Sequence, residues 1–147
     1  EKWLWKNEPR RRLNTYLWEK GLYSCFERFR PDIFAHCQEG MPRHMSLERL
    51  ERFVLYCKKY DVAIELNHFT RDKYRYGELK PILEFGNKHD AVFCCASDFH
   101  GFGDDIEGKL LHSREMLELA EKFSLRLLDP TKFVERKLKA NKHVERG

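Results

Sequence analysis

The chain has no C-x-x-C pair, and its five cysteines, Cys25, Cys37, Cys57, Cys94 and Cys95, are odd in number and set mostly in apolar runs. That argues against a disulfide framework and against a paired-cysteine zinc or redox site. The expectation is reduced cysteines, buried as small hydrophobes in a cytoplasmic protein. No apolar run approaches the roughly 20 residues that a membrane span needs, and the first residues carry no signal-peptide pattern. No membrane partner is expected. There is no Walker loop, no G-x-G-x-x-G and no G-x-S-x-G, which removes the commonest nucleotide-cradling and serine-hydrolase motifs. Charge of one sign is not concentrated either. The net charge of +4 over 147 residues suits an anionic substrate but falls short of a dedicated nucleic-acid surface.

What is present supports one folded domain. Eleven Phe, six Tyr and three Trp lie within a 41% apolar composition, enough for a core in a chain of this length. Charged residues make up 35%, with both signs interspersed, as on the outer faces of amphipathic helices. Trp3 and Trp5 suggest that the first segment packs on something.

Hydrophobic periodicity gives repeated strand–helix units. A helix over 12–28 carries Leu13, Tyr16, Leu17, Lys20 and Tyr23 at helical spacing, with Gly21 as a weak interruption. After Pro31 comes a short strand, Asp32 to His36. Ser46 is an N-cap for a helix whose apolar face is Leu47, Leu50, Phe53, Val54 and Cys57. A second strand covers 62–67, and a loop runs from His68 to Gly77. A third helix covers 78–89, with Pro81 in its first turn. The third strand, 91–97, is nearly all apolar, as expected when both faces are buried. A Gly-rich loop over 101–108, a helix over 113–123 and a short strand over 125–128 follow. Residues 129–147 read as a polar, basic helix or tail. The pattern predicts an α/β fold of parallel strands joined by helices.

Active sites in such folds gather at the carboxyl ends of the strands, and each main strand here ends in polar side chains. Asp98 and His100 are at i and i+2 and share one side of an extended chain. A carboxylate and an imidazole so placed suit a Zn, Mn or Fe ion. The alternative is that Asp98 caps a turn and His100 sits on a surface loop. His36 ends the first strand. Glu65 and Asn67 share a face of the second. A buried Glu65 needs a cation, a hydrogen-bonding partner or an arginine salt bridge. Arg71, with His68, Lys73 and Arg75, offers cations in the following loop that would hold a phosphate or simply face water. His44, His89, His112 and His143 are expected on the surface.

Asp32-Ile33-Phe34-Ala35-His36, Ile64-Glu65-Leu66-Asn67 and Ala96-Ser97-Asp98-Phe99-His100 together resemble the later motifs of the PHP (polymerase and histidinol phosphatase) family, over roughly 17–128. The resemblance implies part of a distorted (β/α)7 TIM-like barrel and a cluster of divalent metal ions, Zn, Mn or Fe. His36, Asp98 and His100 match metal-ligand positions. Glu65 and Asn67 match the E-x-N strand beside the site. The family's opening H-x-H motif is absent, since His36 is the first histidine of the chain. The expectation is therefore a C-terminal half of such a domain, 1–147 forming one partial domain.

The implied activity is metal-dependent hydrolysis of a phosphoester, foremost a small phosphomonoester of the histidinol phosphate kind. Glu65, Asn67 and Arg71 are the candidate catalytic residues, Arg71 orienting the phosphate. Two other readings stand beside it. One is a non-catalytic half-domain that associates with itself or with a missing N-terminal half. The other is a PHP-type nuclease acting on nucleic acid.

Overall fold

Four helices and four strands alternate along the chain in a computed structural model that describes residues 8–36, 45–67, 73–96 and 106–135. Helix α1 is Glu8–Phe29 and leads into strand β1, Ile33–Phe34. Helix α2, Leu47–Lys59, begins at Ser46, whose Oγ accepts the Arg49 backbone N–H at 3.4 Å. Strand β2, Ala63–Leu66, is followed by helix α3, Lys73–Lys88. Strand β3 is Val92–Cys95, helix α4 is Ile106–Lys122, and strand β4 is Arg126–Leu127. A last helical turn covers 130–135. Asp129 caps it, its Oδ1 accepting the N–H groups of Thr131 and Lys132 at 3.0 and 3.2 Å.

Three helices start earlier than the sequence predicts, α1 at Glu8, α3 at Lys73 and α4 at Ile106. Gly77 and Gly108 mark loops in the sequence but lie inside helices here. A helical glycine costs only about 1 kcal/mol, which the rest of each helix offsets. Pro81 consequently sits in the interior of α3 rather than in its first turn, so the carbonyl of Gly77 lacks its usual i+4 donor. Gly21 does not interrupt α1.

The four strands form one sheet in the order β1-β2-β3-β4, every pair parallel. Strand order follows chain order without reversal. Right-handed crossovers in such a sheet put every connecting helix on the same face. The core agrees. One hydrophobic cluster joins Phe26 of α1, Phe53 and Val54 of α2, Ile82 and Leu83 of α3, and Met116 and Ala120 of α4 to Ile64, Leu66 and Phe93 of the sheet. Cross-strand register and the two-residue alternation put Phe34, Ile64, Phe93 and Leu127 on this helix-covered face. The opposite face carries Ile33, Ala63, Glu65, Val92, Cys94 and Arg126. The ring of Phe93 fills the space where a Cβ on Gly86 would stand, so α3 lies against β3 only because residue 86 is glycine.

Helix α1 departs from its predicted face. Phe26 is buried, and Trp18 and Leu22 pack against the core. Leu13, Tyr16 and Leu17 are each more than half exposed. Inward-facing Glu19 pairs with Arg49 of α2 at 2.6 Å. Tyr23 stacks on Tyr56 at 3.9 Å between ring centroids. Burial, and then the charge of Glu19, raises the Tyr23 hydroxyl pKa well above its ordinary value.

Three of the helix-to-strand bends are copies of one another. After α2, the N–H of Asp61 donates to the carbonyl of Lys58 and that of Val62 to Cys57. After α3, Asp90 donates to Asn87 and Ala91 to Gly86. After α4, Ser124 donates to Glu121 and Leu125 to Ala120. Asp61, Asp90 and Ser124 have φ of 56°, 52° and 51°. This is the Schellman arrangement, with a left-handed residue closing the helix. In none of the three is that residue glycine.

Candidate functional site

The carboxyl ends of β1 and β2 bring three of the predicted residues together. Glu65 sits on β2, on the face away from the helices, and is 9% exposed. Asn67, two residues on, is fully buried. His36 follows β1 and adopts a left-handed backbone with φ of 51°. Its backbone N–H donates to Glu65 Oε2 at 2.7 Å. Asn67 Nδ2 donates to the same oxygen at 3.0 Å and lies 3.4 Å from His36 Nδ1.

The geometry explains itself from the backbone upward. A left-handed residue other than glycine carries a conformational cost. Glu65 offsets it by accepting the N–H of the strained residue. A hydrogen bond to an ionised acceptor is stronger than a neutral one, and two such donors answer the cost of burying the carboxylate. Glu65 is thus met by hydrogen-bond donors, one of the partner types its sequence position requires. Its amide neighbour Asn67 links it to the His36 ring.

Cys94 is the residue that motif reasoning missed. It stands opposite Glu65 in the β2–β3 register. Its thiol is pushed up to about 12, by burial first and then by the negative charge of Glu65. Burial also raises Cys95. Both are neutral thiols near pH 7 and poor nucleophiles. The two-residue alternation of β3, read against β2, would have placed Cys94 beside Glu65.

Other expectations are corrected or fall elsewhere. Cys25 is exposed, not buried, and Cys94 and Cys95 are only half-buried. His89 is not a surface residue: it is half-buried at the end of α3, its Nε2 2.7 Å from Glu51 of α2. Lys73 and Arg75 belong to the first turns of α3 and not to a loop. His68, Arg71, Asp98 and His100 lie outside the described residues, as do Cys37, His44 and His143.

The donor types at the site suit a divalent metal ion of the Zn, Mn or Fe kind, an imidazole from His36 and a carboxylate from Glu65. Their number does not suffice. Among the described residues no group of three or more His, Cys, Asp or Glu is placed to hold a metal, and Glu65 Oε2 already serves two donors. Any ion here takes further ligands from beyond the described residues. No family model, curated protein or solved structure matches the chain.

Proposed function

We propose that the chain is part of a metal-dependent phosphoesterase of the PHP type, acting on a small phosphomonoester. One observation carries this reading. His36, Glu65 and Asn67, drawn from two separate sequence motifs, converge within hydrogen-bonding distance at the carboxyl rim of a parallel sheet wound in chain order. Sequential winding with helices on one face is the construction of a (β/α) barrel, and its rim is where such folds place their chemistry. The unreversed strand order argues against a doubly wound sheet, whose sites lie where strand order reverses.

In this reading His36, Asp98 and His100 hold the metal. When bound, such an ion lowers the pKa of a water and offsets charge on phosphoryl oxygens. Glu65 fixes the backbone turn that carries His36, and the same carboxylate holds Asn67 beside the ring. Arg71 steadies the phosphate of the substrate. Among the described residues no helix is long and apolar enough to cross a membrane.

The test compares the purified protein with its Asp98→Ala variant. Metal content is read by mass spectrometry, and activity on an aryl phosphate is assayed with added Zn, Mn or Fe. The expected result is bound metal and hydrolysis in the parent, with both lost in the variant. Equal metal content in the two proteins would refute the assignment.

A further inference from the structure

The face that α1 turns to α2 is more polar than a helix seam requires. Thr15, Glu19 and Tyr23 follow one another at steps of four residues, each turned about 40° from the last. Thr15 and Glu19 are buried, and Tyr23 is half-buried. Arg49 and Tyr56 meet this stripe from α2. Two oxygens in the seam stand out. Glu19 Oε1 and the Tyr23 hydroxyl are both closed off, and neither has a hydrogen-bonding partner among the described residues. An unanswered buried oxygen carries its full desolvation penalty, and folded chains keep few of them. Two on adjacent turns of one helix need a common cause.

The two oxygens do not answer each other, because each side chain is already held from α2. Arg49 draws the Glu19 carboxylate by its other oxygen, Oε2, at 2.6 Å. The Tyr23 ring lies flat on Tyr56, with 3.9 Å between centroids and 17° between planes. They are close all the same. Side chains one turn apart on a helix are neighbours, and the charge of Glu19 acts on the Tyr23 hydroxyl.

We propose that the α1–α2 seam contains a binding site for a single water molecule, bridging Glu19 Oε1 and the Tyr23 hydroxyl. Chemistry selects the occupant. A carboxylate oxygen only accepts, so the occupant must donate to it, while the phenol can do either. A cation is disfavoured, since Arg49 already neutralises Glu19 and the positive charge of Arg52 reaches the same hydroxyl. An anion is repelled by Glu19. What remains is a small neutral group that both donates and accepts, the role that buried water fills between polar groups in protein interiors. Glu19 thereby becomes the junction of the seam, with Arg49 on one oxygen and Tyr23, through water, on the other. Such a network fixes how α1 sits on α2 by direction as well as by apolar fit. The site uses none of the residues assigned to phosphoester chemistry and stands apart from that reading.

The sign of one substitution decides between the alternatives. Tyr23→Phe removes only the hydroxyl and keeps the ring that stacks on Tyr56. A hydroxyl bound to water is missed when it goes, so the folding equilibrium constant from urea titration should fall by about threefold to tenfold. A hydroxyl buried without any partner is a burden, and its removal would leave the urea midpoint unchanged or raise it, which overturns the proposal. A crystal structure of the parent that resolves ordered water is expected to show one molecule within hydrogen-bonding distance of both oxygens, displaced or lost in Tyr23→Phe. A direct Glu19–Tyr23 bond, a protein side chain in that place, or no ordered water there overturns the proposal whatever the midpoint.

Discussion

Glu65 does more for the backbone than for charge balance. Its Oε2 holds a left-handed histidine in place and anchors a fully buried amide. Removing the carboxylate leaves the His36 N–H and the fully buried Asn67 amide without that acceptor. Glu65→Ala is therefore expected to destabilise the fold by about 2–4 kcal/mol, read from the urea midpoint. Glu65→Gln keeps one acceptor oxygen in the same place and should recover most of that loss. Equal losses in the two variants would refute the acceptor role. Sequence parity gave the shared face of Glu65 and Asn67. It gave no sign that the carboxylate is aimed at the main chain of His36, because that contact joins a backbone atom to a side chain 29 positions away. Cys25 was misread for a related reason. Apolar neighbours predict burial only where another element covers them.

At the scale of the elements, α2 and α3 are tied at their outer sides by Glu51, whose Oε1 is 2.7 Å from both Lys88 Nζ and His89 Nε2. These two hydrogen bonds hold the Glu51 carboxyl below its ordinary range. Its pKa is lower in the folded protein than in the unfolded one. The stability it contributes is thus present above the ordinary glutamate pKa of about 4.3 and is lost as pH falls through the lowered folded value. Urea midpoints measured from pH 6 downward to about pH 3 should fall more steeply for the parent than for Glu51→Gln. Parallel curves would count against the tie. The strand–helix alternation itself was legible, because Ser46, the apolar face of α2 and the apolar run of β3 are local signals. The face of α1 was not. Periodicity correctly found Leu13, Tyr16 and Leu17 on one stripe, but no local rule says whether a partner covers it. The three matching bends also escaped notice. Asp61, Asp90 and Ser124 share a conformation, not a residue type, and none is the glycine that would have announced it. Replacing Ser124 by glycine should raise stability by about 1 kcal/mol, since the left-handed cost falls away; a lower urea midpoint would contradict that.

For the whole molecule, the decisive property is that the two sheet faces are unequal. Four helices close one face around a single core, while the other carries Glu65 and Cys94. The bends where helices enter strands lie at the amino rim, and the strands end at the carboxyl rim, where His36, Glu65 and Asn67 meet. Three of these four bends repeat one hydrogen-bond pattern. The sequence stretches that leave the strands, 35–46, 67–72 and 96–105, share no length, and every residue proposed for chemistry except Glu65 falls in them. The amino rim therefore behaves like a standard fitting, and the carboxyl rim like a set of interchangeable tools. A connection transplanted at the carboxyl rim should change what the molecule acts on without disturbing how it holds together, so new specificities are best sought by exchanging whole loops there and leaving the bends alone.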